Sequence, residues 1–303
     1  MAGQKSVEAL GQAKQFMYRQ ARLLDRRRYE FHFEQGSPEQ VIAALRAYQN
    51  EDGGFGQALE PDIRCPHSQP VPVEMALRLM DEVSYVDSTI MEGIGRYLRG
   101  ITRPAGGFPL ATLAVNDYPH APWWYREEDQ LPSLNPTGNI IGLLYKLSAQ
   151  HSFKEEEWFQ SSVEYMWRQL DELNPYDYHD IVQAATFLEH APDSERVQEY
   201  RVWLDELIKR PGIIELDPQA EGYVHKVLDW APAPDHSVAK LVTAEDISRH
   251  LDHLLTEQQA DGGWPIRWEA VSPACELEWR GSITIDRLLT LRAYGRLGSS
   301  ASE

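Results

Sequence analysis

Glu60, Asp62, Arg64, Cys65 and His67 fall within eight residues of one segment, LEPDIRCPH. A carboxylic acid beside a guanidinium and an imidazole has its proton affinity set by those neighbours. Asp62 is therefore a candidate general acid or base, with His67 as its partner and Arg64 as a binding group. The competing reading is an ion pair at a loop rim whose path is fixed by prolines. Cys65 and His67 are both zinc-binding types, but a third or fourth ligand would have to come from elsewhere in the chain, so no metal is predicted.

Three further segments combine acids, imidazoles and aromatic rings. DYPHAPWWYREEDQLPSLNPTG carries His120, Trp123, Trp124 and Tyr125, an aromatic group that suits a sugar face, a cation or a carbocation. The same rings can instead pack as a loop's own apolar cluster. NPYDYHDIV holds Asp177, His179 and Asp180, which read equally as an acid–base relay or as helix-capping acids. EGYVHKVLDWAPAPDH and ELEWRG supply Tyr223, Asp229, Trp230 and His236, then Glu278, Trp279 and Arg280. Arg280 is either an anion-binding group or half of an ion pair laid over an aromatic ring. The catalytic candidates are thus Asp62, His67 and Asp180. The substrate-binding candidates are Arg64, His120, Trp123, Trp124, Tyr223, Trp230, Trp279 and Arg280. No Gly-x-Ser-x-Gly elbow occurs, so serine hydrolysis has no support, and the Gly-Gly turns lack the lysine that a Gly-rich phosphate loop needs.

Helices must position these segments. Ser37-Pro38-Glu39-Gln40 reads as a capped helix start, Val41, Ala44, Leu45 and Tyr48 keep the helical period, and Gly53-Gly54 ends it. A polar, proline-rich loop follows, then a second apolar helix in VEMALRLMDEV. Thr243 to Leu255 repeats the first helix, Asp261-Gly262-Gly263-Trp264 breaks it, and PIRWEAVSPACELEWRG leads as a loop into SITIDRLLTLRAYGRL. The phrases YQNEDGGFG and EQQADGGWP therefore match, Gln49 and Gln258 standing 258 − 49 = 209 positions apart. Gly106-Gly107-Phe108, followed later by NPTGNIIGLLYKL, is a weaker copy. The chain reads as roughly five or six helical hairpins of about 45–60 residues, stacked to bury apolar faces that no hairpin can bury alone. Its two best copies lie at opposite ends and look alike, which favours closure of the first on the last over an open solenoid. GIIELD and GYVHKVLDW are the exceptions to helix, and suggest a short β-hairpin near 213–230.

Gln-x-x-Asp-Gly-Gly-Phe/Trp, at Gln49 to Phe55 and Gln258 to Trp264 with a partial match at Gly106 to Phe108, resembles the repeat of the prenyltransferase and squalene-cyclase superfamily. The segments SQPVPVEMALRL, NPTGNIIGLLYKL and GSITIDRLLTLRAY are similar to that superfamily's inner helices. The resemblance covers about half of the chain at recognisable strength. It implies an all-α fold, an α/α toroid formed by residues 1–303 as a single domain, with inner helices around a central cavity. It also implies that Gln49, Phe55, Gln258 and Trp264 are structural. The superfamily's chemistry carries over less well. No adjacent Asp-Asp pair occurs, so the Asp-x-Asp-Asp and Asp-Asp-x-x-Asp motifs are absent, and Asp62-Ile63-Arg64-Cys65 misses the Asp-x-Cys spacing of a zinc prenyltransferase.

Composition narrows the partners. A net charge of −18 disfavours nucleic acid and anionic lipid, both of which need a basic surface. Two cysteines are too few for a disulfide scaffold, and the polar first residues lack an apolar signal core, so a cytoplasmic protein is expected. The leading expectation is an enzyme that handles a partly apolar small molecule in a central cavity by carboxylic acid catalysis, without a cofactor. The alternatives are a carbohydrate-active enzyme pairing Asp62 with Asp177 or Asp180, and a non-catalytic ligand-binding protein.

Overall fold

A computed structural model describes residues 2–149 and 151–297. The protein is all-α. Its helices are α1 (Ala2–Gln20), α2 (Leu23–Phe33), α3 (Pro38–Leu45), α4 (Pro70–Glu82), α5 (Ser88–Ile101), α6 (Leu134–Leu147), α7 (Glu157–Asp171), α8 (Tyr178–His190), α9 (Glu195–Ile208), α10 (Val227–Trp230), α11 (Ala244–Thr256) and α12 (Pro273–Ala293). The chain gathers into two compact units. A middle unit spans Ser37–Leu204, and a terminal unit takes the chain up to Gly36 and again from Asp205. Among the described residues no helix is long and apolar enough to cross a membrane.

In the middle unit, α6 lies between α4 and α8, and α7 packs against α5, α6 and α8. Two glycines set the closest of these approaches. A Cβ on Gly138 would stand 2.5 Å from the Gln183 carbonyl oxygen, and one on Gly142 would stand 2.5 Å from that of Thr186. The small-x-x-x-small spacing in α6 thus brings the backbone of α8 against it, and fixes which α8 side chains face α6. In the terminal unit α12 packs on α1 and α2, and α11 on α10. Phe16 and Met17 of α1, Leu251 and Leu254 of α11, Trp264, and Ile285, Leu288 and Leu291 of α12 form its core.

The Gln-x-x-Asp-Gly-Gly turns have one geometry in both units. Gln49 Nε2 donates to the carbonyl of Gly53 at 3.0 Å and to that of Ile90 in α5 at 3.3 Å. Gln258 Nε2 donates to Gly262 at 2.8 Å and to Ala9 in α1 at 2.9 Å. Gly53 and Gly262 hold φ of +92° and +94°, and their α-carbons press on the backbone of α5 and α1 respectively. The carboxylates of Asp52 and Asp261 close the turns by accepting from the amides of Gly54 and Gly263. The first helix of the chain therefore receives the last turn as α5 receives the first turn.

Two expectations need correction. No β-hairpin forms near 213–230: Glu215 and Lys226 make a single isolated parallel bridge, and α10 starts at once. The Lys226 amide donates to the Asp229 carboxylate at 2.9 Å, and Gly222 turns the chain at φ +84°, so no antiparallel ladder can propagate. The last helix also begins earlier than its apolar run, at Pro273. Ser272 caps it by accepting from the Cys275 amide at 3.2 Å, with proline in the first turn. ELEWRG is therefore helical, not a loop.

Candidate functional site

The LEPDIRCPH segment is clamped to the segment after α5. The Asp62 carbonyl accepts from the Ala121 amide at 3.0 Å, the Arg64 amide donates to Pro119 at 3.0 Å, and Ile63 bridges His120. This clamp seals the acids inside: Asp62 is 1% exposed and Glu60 3%. Burial, and secondarily the charge of Asp62, push the Glu60 carboxyl up to about 8. Its Oε2 is buried without a hydrogen-bond partner, as is the indole nitrogen of Trp124, which lies near enough to influence Glu60 but makes no bond of normal geometry. His67 instead faces solvent, 3.2 Å from the Tyr118 hydroxyl. His120 Nδ1 lies 2.6 Å from the Tyr118 carbonyl, and its ring stacks near Tyr125. Of the paired tryptophans, Trp124 is buried and Trp123 is 46% exposed. Arg64 Nη1 donates to the Pro61 carbonyl at 3.3 Å, closing its own loop. Asp62 and His67 are thus on one segment but in opposite environments.

At the start of α8 the residue roles separate. The Asp177 carboxylate accepts from the amides of His179 at 2.9 Å and Asp180 at 3.3 Å, so it is the helix cap. Asp180 is partly buried, and burial together with Asp177 raises its carboxyl to about 6. His179 reaches solvent, yet the surrounding protein pushes its imidazole below the ordinary value, with Asp177 and Glu74 opposing and Arg78 adding to the effect.

Beside His179 lies a polar network absent from the sequence-based candidates. Glu74 in α4 is buried, and its Oε1 accepts from Asn139 Nδ2 in α6 at 2.8 Å and from Arg78 Nε at 2.8 Å. Its Oε2 accepts from Gln183 Nε2 in α8 at 3.3 Å. Gln183 also donates to Asn135 Oδ1 at 3.1 Å and accepts from the Asn139 amide at 2.6 Å. Asn139 Oδ1 is buried and has no partner. Glu74, Asn139 and Gln183 sit in the N-terminal halves of three neighbouring helices. A signal for them existed in the sequence: Glu74 and Gln183 interrupt the largely apolar runs PVPVEMAL and IVQAATFL, and Asn139 heads the run NIIGLL. A polar side chain in the middle of a buried helical face costs stability unless it is satisfied, and so marks a network or a site.

The terminal unit holds the remaining candidates. Arg280 is buried and structural in its contacts: Nη2 donates to Asp261 at 2.6 Å, Nε to the Trp264 carbonyl at 3.2 Å, and the guanidinium lies 4.8 Å from the Phe16 ring. Trp230 is buried, whereas Tyr223 is exposed and meets Trp268 edge-on at 6.2 Å, which meets Trp279 edge-on at 5.3 Å. Both cysteines are buried free thiols. Among the described residues no group of His, Cys, Asp and Glu is placed to hold a metal ion.

No protein-family model matches this chain, and no curated protein matches it. A solved structure of a protein from Actinoplanes is similar over 96% of this chain and 90% of that one, at 16% sequence identity and a TM-score of 0.52. The likeness is one of fold.

Proposed function

We propose that the protein is a terpene-cyclase-like toroid enzyme in which α4, α6 and α8 present an acid–base site to a small, partly apolar molecule. One observation carries the reading. A buried carboxylate, Glu74, is held by donors from its own helix and two neighbours, within electrostatic reach of an imidazole, His179, whose proton affinity the surrounding protein lowers. Fixed donors orient the carboxylate, and its charge stabilises the imidazolium that forms when His179 takes a proton. Asp180, with its carboxyl near 6, supplies or accepts a second proton close to neutral pH. The apolar faces of the same helices suit the rest of the substrate. Repetition of the Gln-x-x-Asp-Gly-Gly turn, and its last copy docked on α1, support the toroid. Asp62 is a weaker catalytic candidate than it is in the sequence, because its side chain is sealed, and this weakens the paired-carboxylate carbohydrate reading as well.

The test uses the full chain with H179Q, E74Q and D62N. A panel of isoprenoid alcohols, isoprenoid diphosphates and cyclic polyols is scanned for thermal stabilisation, and then for new products by mass spectrometry. The expected result is turnover of an apolar member that falls about 100-fold or more in H179Q, in the range for loss of a general base. D62N should matter far less. Full turnover in both H179Q and E74Q would sink the reading.

A further inference from the structure

The three Gly-Gly turns dock on their helices in one register, so they can be compared position by position. A Cβ on Gly53, Gly106 or Gly262 would meet the carbonyl oxygen of Gly93 in α5, Ser161 in α7 or Gln12 in α1. In each turn the residue three before that glycine donates its amide to the carbonyl of the residue after it: Asn50 to Gly54, Arg103 to Gly107, and Gln259 to Gly263. In the first two copies an arginine of the receiving helix covers the tip of the turn. Arg96, three residues after Gly93 (96 − 93 = 3), donates to the carbonyls of Glu51 at 3.1 Å and Asp52 at 3.3 Å. Arg168, seven after Ser161 (168 − 161 = 7), donates to the carbonyl of Ala105, the counterpart of Asp52.

The last copy lacks this cover. Gln15 stands where the first copy has Arg96 (15 − 12 = 3). Arg19 stands where the second has Arg168 (19 − 12 = 7), but it makes no hydrogen bond or ion pair among the described residues. In place of a covering arginine is a cavity of about 120 Å³, lined by Gln15, Phe16 and Arg19 of α1 and by Ala260 and Asp261 of the turn. Its walls carry both signs of charge. Asp261 Oδ1 is taken by the Gly263 amide at 3.1 Å and by Arg280 at 2.6 Å. Its Oδ2 and the carbonyl oxygens of Ala260 and Asp261 accept nothing among the described residues. Arg19 and Asp261 line the same cavity without pairing with each other. A lone cation there would face Arg19, and a lone anion would face Asp261 and the two carbonyls, so each gains little. A molecule with both charges satisfies both walls.

We propose that this cavity binds a small α-amino acid as its zwitterion. The ammonium sits on Asp261 and the turn-tip carbonyls, where arginines sit in the other two copies, and the carboxylate sits on Arg19. L-Alanine is the probe. The full chain, labelled with nitrogen-15, is titrated at constant ionic strength, and the backbone amides of Ala260, Asp261 and Gly262 are followed with the Arg19 Nε–H. Propionate and ethylamine carry one charge each and separate the two ends. A saturable shift with alanine is expected, with propionate and ethylamine each at least about tenfold weaker, the loss of one charge-assisted contact. R19Q should weaken alanine at least about tenfold for the same reason. Q15R should do so as well, by giving the last copy the arginine that covers the first. Absence of a saturable response, or propionate or ethylamine binding as tightly as alanine, overturns the proposal. Tighter binding of alanine to R19Q also overturns it, because Arg19 would then only obstruct the cavity. Gln15 and Arg19 are exposed on α1, so neither variant removes a core contact, and the wild-type comparison of the three ligands decides the matter independently.

Discussion

Glu60 shows how one buried residue controls the pH response of the molecule. Its carboxyl is raised to about 8, with burial as the main cause and Asp62 as the second. A carboxyl whose folded pKa lies above its unfolded value keeps its proton in the folded protein after the unfolded chain has lost it. Stability is therefore full below the usual carboxylate range and falls as pH rises towards 8, by about 1.4 kcal/mol for each pH unit. Glu60→Gln removes that titration while keeping the shape. Urea unfolding at pH 5 and pH 8 should show E60Q gaining on the wild type as pH rises. Parallel losses in both proteins across that range would mean that Glu60 is not the titrating group. Asp180 is a second such group, but its carboxyl near 6 is partly open, so its titration should change stability less than that of Glu60.

Elements decide whether the residues meet. Asn139 and Gln183 reach Glu74 because Gly138 and Gly142 let α8 approach α6. Gly142→Ala would drive a Cβ to 2.5 Å from a carbonyl oxygen that belongs to backbone and cannot swing away. It should cost about 1–3 kcal/mol, as overpacking does, and should also displace Gln183 from Glu74. Gly100, within α5, has open space where a Cβ would stand, with nothing within 4 Å, so Gly100→Ala should stabilise by about 0.5–1 kcal/mol through helix propensity and chain entropy. Thermal unfolding of both variants checks the pair, and a G142A protein as stable as G100A would refute the tight approach of α6 and α8. The helices themselves are largely legible in the sequence, since Pro38, Thr243 and the Gly-Gly turns act through neighbours in the chain. Ser272-Pro273 is an equally local start signal, but the polar ELEWRG obscures it. The site is not legible in this way. The four charged loop segments stand out because charges cluster there in sequence, whereas Glu74, Asn139 and Gln183 become a cluster only when three helices align. The expected role of Asp62 meets the same limit from the other side, because sequence proximity to His67 says nothing about the clamp that seals it.

At the scale of the molecule, the first helix is the element that the last repeat cannot do without. Gln258 and Gly262 dock on Ala9 and Gln12, and Phe16 and Met17 fill the core around Trp264. In the middle unit the corresponding docking partner, α5, comes after its turn in the chain, so that unit completes its own repeats without α1. A chain lacking residues 1–20 should therefore lose the terminal unit's core and leave the middle unit's helices formed. Hydrogen exchange followed by mass spectrometry measures both at once. Amides of α11 and α12 are expected to lose protection, while those of α6 and α8 keep it, because foldons lose protection as units. Gln258→Ala is the milder version: it removes two backbone-directed hydrogen bonds, to Ala9 and Gly262, and should lower the stability of the terminal unit by about 1–2 kcal/mol. Equal loss of protection in α6 and α8 after the truncation would show that the whole chain unfolds as one block, and that the last repeat's hold on α1 stabilises the Glu74 network as much as its own helices do.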